Sequence, residues 1–263
     1  MMLIYLLVCN DGEMVEITKD GFLRSRLRKS LMSIEDAFTL GFSGGLDSSF
    51  LLFISGQNCD PCVVGSPGSK DILNAKRIAD FYHRPIRIEY VPEADVIESA
   101  STVMKVEPSA SLTEISYDAV LVTLMKRTEN EIVVTGQGSD EIFYGYSKFL
   151  DGRENSNKNS INTLKNRTLP RENKLASIFR KKLITPYLDD EIVKTYSDLP
   201  REMHIVDGMG KMILRREAVN CGFNPEFAMA KKLAAQYGSR FQKVISNAIK
   251  AGILEPAKAG EGK

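Results

Sequence analysis

Over the first 150 residues, short apolar runs alternate with longer stretches of helical period. Residues 37–42 read as a strand and 48–54 as a helix start. The next strand falls at 62–65, followed by an amphipathic helix over 70–82 with Ile72, Leu73, Ala75, Ile78, Ala79 and Phe81 apolar. Residues 86–91 alternate strictly and predict a third strand; helical stretches at 94–104 and 114–127 lead to a fourth at 131–135. Strands separated by helices of this length predict βαβ units, hence a parallel sheet with helices on both faces. Ahead of this core, two apolar runs flank Asn10, Asp11 and Gly12, which predicts a β-hairpin. The pattern changes after Leu150. Residues 151–173 are rich in Asn, Ser, Lys, Arg and Glu and predict a mobile surface loop, and residues 175–253 read as helices only. The expected organisation is a hairpin and linker over 1–36, an α/β core over 37–150 and a flexible loop over 151–174. A helical region over 175–254 and a disordered tail over 255–263 complete it.

Composition narrows the classes. The 263 residues are 43% hydrophobic and 26% charged, ordinary for a globular protein. A net charge of +1 argues against a dedicated nucleic-acid surface, and no apolar run is long enough to span a membrane. The apolar start at 1–9 has neither a basic leader nor a small-residue cleavage site, so a cytoplasmic location is expected. Four cysteines are too few and scattered for a disulfide framework. Cys59 and Cys62 have metal-ligand or redox spacing, but are expected before a strand, at the end away from a nucleotide crevice, as inert thiols. The basic stretch at 24–29 reads as a solvated helix face or linker.

The chemistry concentrates where the first core strand ends. Ser43, Gly44, Gly45, Leu46, Asp47, Ser48 and Ser49 form a strand-to-helix loop. Glycines let the backbone approach an anion, and the first helical turn points free N–H groups at it. A plain helix entry needs one glycine and one capping residue; two glycines, three serines and an acid exceed that. Asp47 beside phosphates implies a bridging Mg²⁺. The loop lacks the Walker lysine and the dinucleotide fingerprint. A second loop repeats the design after the strand at 131–135: Gly136, Gln137, Gly138, then Ser139, Asp140 and Glu141 at a helix start. Loops at the C-terminal ends of parallel strands face one crevice, so Asp47 and Asp140 are expected to share a Mg²⁺–pyrophosphate group.

The first loop resembles the PP-loop of the ATP pyrophosphatase family, which implies a Rossmann-like parallel sheet of the adenine nucleotide alpha hydrolase-like type and cleavage of ATP to AMP and pyrophosphate. The second loop, continuing Ile142-Phe143-Tyr144-Gly145-Tyr146, resembles the synthetase domain of asparagine synthetase. Further stretches carry the same resemblance: Val64 to Asp71, Thr185-Pro186-Tyr187-Leu188-Asp189, Gly210-Lys211-Met212-Ile213-Leu214-Arg215, and Lys231-Lys232 with Gln236-Tyr237-Gly238 downstream. It implies that Val64 and Gly65 cup adenine and ribose, and that Lys232, or Lys231, offsets charge near an acyl-adenylate. The implied reaction activates a carboxylate, aspartate in that family, with ATP and Mg²⁺; ammonia or an amine then displaces AMP.

Two departures bear on the acceptor. Only about 36 residues precede the first core strand and the chain starts Met1-Met2, so glutaminase activity in this polypeptide is not expected; ammonia would arrive free or from a separate glutaminase subunit. Gln137 stands where that family carries a Glu, and an amide cannot accept the proton of an attacking amine. Two other readings remain open: a PP-loop enzyme that adenylates a tRNA base for sulfur or amine transfer, and an ATP-binding subunit partnering a glutaminase. Assembly into a homo-oligomer also stays open.

Overall fold

The computed structural model describes residues 5–8, 14–17, 21–230 and 235–255. Strands β1 (Tyr5–Val8) and β2 (Met14–Ile17) pair antiparallel, as the hairpin pattern predicts. Helix α1 (Phe22–Met32) follows and buries Leu23, Leu27 and Leu31, one face at helical spacing. The core then runs β3 (Phe38–Gly41), α2 (Leu46–Ile54), β4 (Cys59–Gly65), α3 (Lys70–Phe81), β5 (Arg87–Tyr90), α4 (Glu93–Val106), α5 (Leu112–Lys126) and β6 (Ile132–Val134). Short helices α6 (Ser139–Ile142), α7 (Ser147–Leu150) and α8 (Lys158–Thr163) lead through a π turn at Leu164–Thr168 into α9 (Leu169–Ile178), and β7 (Lys182–Ile184) closes the sheet. Beyond it lie a 3₁₀ turn (Pro186–Leu188), α10 (Asp190–Tyr196), α11 (Arg201–His204), α12 (Met212–Asn220), α13 (Pro225–Ala228), α14 (Ala235–Gly238) and α15 (Phe241–Lys250).

The five-stranded sheet is parallel throughout, in the order β5-β4-β3-β6-β7. This is the expected Rossmann-like α/β class. Alternation along each strand sends successive side chains to opposite faces. Val63 and Val134 join one apolar core with Leu27, Phe50 and Phe223; their neighbours Val64 and Val133 join the other with Val122, Leu175 and Phe241. Helix α5 sits in the second core, started by a capping box in which Ser111 and Glu114 satisfy each other's backbone N–H groups.

Three expectations are corrected. The segment read as a mobile loop is helical from Lys158 onward, and it is anchored where Arg171 is buried against Asp118 and Glu114 of α5 while its other basic side chains stay exposed. Composition registers such charges without their partners. The region read as helices only contains β7, whose three residues are too short to show a period but pair with β6. Cys59 and Cys62 do not precede a strand; they lie within β4, which extends back through Pro61 because its Cα partners on β3 run from Phe38 to Gly41. The 256–263 part of the tail lies outside the described residues.

His204 is wholly buried, its ring stacked on Tyr144 with centroids 4.9 Å apart. Burial pulls its pKa from 6.5 down to about 4. Between those values the unfolded chain binds a proton that the folded chain refuses, so stability falls as pH drops through the window. From about pH 7 to about pH 4 the protein is expected to lose about 3 kcal/mol more than His204→Phe does, as read from urea midpoints at each pH.

Candidate functional site

The chain leaves β3 in one direction toward β4 and β5, then returns to build β6 and β7 on the other side. The strand order therefore reverses between β3 and β6, where open α/β sheets form a crevice beyond their C-terminal ends. The loop after β3 and the loop after β6 both open there. Gly44 adopts φ +69°, and a Cβ on it would lie 2.5 Å from the Ala75 backbone nitrogen, so glycine is required. Gly138 at φ +92° presses on Leu188, leaving 2.3 Å for a Cβ.

The two loops meet at a buried charge cluster. Asp47 and Asp140 converge on Lys211, whose Nζ lies 2.6 Å from Asp47 Oδ1 and 2.6 Å from Asp140 Oδ1. Ser139 Oγ donates to Asp47 Oδ1 at 2.9 Å, and Lys211 Nζ donates to Ser139 Oγ at 3.1 Å. Tyr187 O–H donates to the Asp47 carbonyl at 3.0 Å. Lys211 is delivered by a strained backbone at φ 62°, opposite Tyr144 at φ 58°, and its N–H donates to the Phe143 carbonyl at 3.0 Å. Arg215, one turn on, donates to the Gly210 carbonyl at 2.9 Å and to the carbonyls of Ala228 and Ala230. Asp189 caps α10 and pairs bidentately with Arg26 at 3.0 and 2.6 Å. The basic stretch 24–29 is thus a helix with one arginine clamped onto the chain that carries Tyr187 and Leu188.

A cavity of about 900 Å³ lies over this cluster. Ser43, Gly45, Asp47, Ser48 and Val64 line one part; Gly136, Gln137 and Asp140 border it from the second loop. Gly44 and Leu46 line a smaller adjoining pocket of about 100 Å³. Ser49 and Ser139 are buried behind the loops. Gly65 leaves only 2.6 Å between a Cβ and Ser69 Oγ, a packing role. Lys231 and Lys232 lie outside the described residues.

Toward the other end the cavity meets two buried carboxyls, Glu172 and Glu141. Glu172 of α9 is buried and accepts from Gln137 Nε2 at 2.9 Å. Burial, then the charge of Asp118, raises its pKa well above the usual carboxyl range against the opposing pull of Arg171. Glu141 is buried, accepts from Tyr146 O–H at 2.5 Å, and is also raised by burial first and Asp140 second. Lys211 stood inside a motif stretch, yet nothing local marks it as buried; Glu172 stood inside a segment whose composition reads as loop. Cys62 borders the same cavity, contrary to the expected placement, but burial pushes its thiol up to about 12 and that of Cys59 to about 11. Both are neutral thiols packed in the core, and among the described residues no three His, Cys, Asp or Glu side chains gather as a metal cage.

The model of the asparagine synthase family matches residues 29–183. A probable asparagine synthetase (glutamine-hydrolyzing) of Schizosaccharomyces pombe is 25% identical over 227 residues, covering 74% of this chain and 41% of that protein. Asparagine synthetase domain-containing protein 1 of Bos taurus is 34% identical over 134 residues, covering 46% and 21%. The chain spans less than half the length of the curated relatives it matches. Among solved structures, an NH3-dependent NAD synthetase from Campylobacter jejuni aligns over 89% of this chain and 94% of that one, at 11% identity and a TM-score of 0.35.

Replacing Lys211 by Met leaves two carboxylates converging without the cation they share. Lys211→Met is expected to lower the unfolding free energy by about 3–5 kcal/mol, measured by urea denaturation at neutral pH.

Proposed function

The chain belongs to the asparagine synthase family, and from that premise we propose that it is an ATP-dependent ligase that adenylates a carboxylate and passes the acyl group to ammonia or an amine. The observation that carries this reading is the meeting of the two glycine-opened loops at the Asp47–Lys211–Asp140 cluster, at the switch point of the sheet. ATP is a substrate here. Its phosphates rest against the loop of Ser43, Gly44, Gly45, Leu46, Asp47, Ser48 and Ser49, with Gly136, Gly138 and Ser139 shaping the opposite wall. Val64 and Gly65 mark the adenine and ribose end.

Hard oxygen donors suit Mg²⁺, and Asp47 and Asp140 both border the cavity, so the donor chemistry fits that ion. Asp47 and Asp140 are the residues that would hold it. When bound, Mg²⁺ would supply charge neutralisation on the pyrophosphate side. The chain's own contribution is to hold the two acids at fixed positions through Lys211 and to keep water out with the buried floor beneath them. Lys232, with Lys231 as the alternative, offsets charge at the acyl-adenylate. In the first half-reaction a carboxylate oxygen attacks the α-phosphorus and pyrophosphate leaves. In the second a nitrogen attacks the acyl carbon and AMP leaves, a far better leaving group than an oxide.

Aspartate is one candidate acid, and the nitrogen comes as free ammonia, as an amine, or from a glutaminase partner. The buried, neutral thiols of Cys59 and Cys62 disfavour a sulfur-transfer reading. ATP–pyrophosphate exchange with Mg²⁺ across a panel of amino acids, small carboxylic acids and tRNA tests the proposal. Exchange that depends on one acid is the expected outcome; exchange with RNA alone would overturn it, and binding of ATP without exchange would mark a subunit that only holds nucleotide.

A further inference from the structure

Gln137 borders the cavity as an amide, which cannot take a proton from an attacking ammonium. The structure sets another carboxyl against it. Glu172, one turn into α9, borders the cavity and accepts the Gln137 side-chain N–H at 2.9 Å. We infer that Glu172 is the amine-side group of this site: it receives the attacking amine as its ammonium and takes a proton from it, with Gln137 fixing the carboxyl's position. This rests on the adenylating reading proposed above and names the chemistry at its second substrate.

Three observations favour a cationic amine at this end of the cavity over a second acid. Glu141 borders the same space, and its Oε2 is buried with no hydrogen-bond partner among the described residues, an acceptor that an ammonium donor would satisfy. The cations near the rim are engaged: Lys148 with Glu154 at 2.9 Å, and Arg153 with Asp151 at 2.8 Å. Arg171 is turned away into Asp118, Glu114 and the Tyr117 hydroxyl. A carboxylate placed here would meet Glu172 and Glu141, and among the described residues Lys148, Arg153 and Arg171 are already paired. Burial and the neighbouring charges of Asp118 and Glu141 raise the proton affinity of Glu172, which suits a group that accepts a proton.

The step balances within the site. The bound ammonium gives one proton to Glu172, which frees the nitrogen lone pair. The N–C bond to the acyl carbon forms as the C–O bond to AMP breaks, and AMP leaves with that electron pair as its phosphate. The second proton on nitrogen passes to water, and Glu172 later returns its own to solvent.

The test separates the half-reactions. Hydroxylamine is neutral at the working pH and needs no deprotonation before attack, whereas ammonium does. For Glu172→Gln, the ratio of amide formed to pyrophosphate exchanged is expected to fall about 100-fold with ammonium and to hold with hydroxylamine. The exchanged pair, Glu172→Gln with Gln137→Glu, is expected to recover ammonium use. A purely structural role would depress both nucleophiles together and would not be rescued. Equal loss with both, or an undiminished ratio with ammonium, overturns the inference. Failure of the underlying reading shows differently, as absence of acid-dependent exchange in the unaltered protein. In that case saturation-transfer NMR with methylammonium, run without any acid, still decides: binding weakened by Glu172→Gln supports an amine site, and equal or absent binding in both proteins overturns it.

Discussion

The contact on which the site depends is the shared ion pair of Lys211 with Asp47 and Asp140. Those residues belong to three separate parts of the chain: the loop after β3, the loop after β6 and the turn before α12. Two carboxylates brought together out of water repel each other and lose hydration; one ammonium between them offsets both terms. The cost of placing it there is visible in the backbone, where Tyr144 and Lys211 both hold positive φ. Gly145 and Gly210 make the approach possible, since a Cβ would fall 2.0 Å from Asp140 Oδ1 at the first and 2.4 Å from the Tyr144 carbonyl at the second.

Around that contact the neighbouring motifs act as supports. Tyr187 bonds the Asp47 carbonyl, Leu188 fills the space that Gly138 leaves, and Asp189 ties this segment to α1 through Arg26. Arg215 spans from Gly210 to the carbonyls after α13, so the same short helix that presents Lys211 also holds the chain leading toward residues 231–234. Residues far apart in sequence therefore bear on one rigid floor, and the cavity above it inherits that rigidity.

The cavity is divided by chemistry. Loop glycines and hydroxyls face one end, which suits phosphates; carboxyls from α6 and α9 face the other. The second end exists because α9 packs its charged side against α5, with Arg171 sunk into Asp118 and Glu114 and Glu172 beside it turned to Gln137. A buried arginine compensated by acids of a neighbouring helix is what allows Glu172 to sit out of solvent next to them.

Much of this was legible along the chain. Alternation and helical period mark β3 through β6, because short apolar or alternating runs between amphipathic helices leave a local signature in residue order. The two Gly/Ser/Asp loops stand out because the backbone approach they serve demands glycine at particular positions. What lay beyond local reading depends on partners distant in sequence. A lysine buried between two acids looks, as a residue, like any surface lysine, and the Arg171–Glu172 turn of α9 looks like a loop until Arg171 finds α5. Cys62 likewise reached the cavity wall only through the extent of β4's pairing with β3. Sequence alone determined the parallel βαβ character of the core from β3 to β6 and the glycine-opened design of the two loops, since both follow from local backbone and periodic burial. Only the tertiary structure decided which charges meet, because electrostatic pairing is a property of distance in space and not of order along the chain.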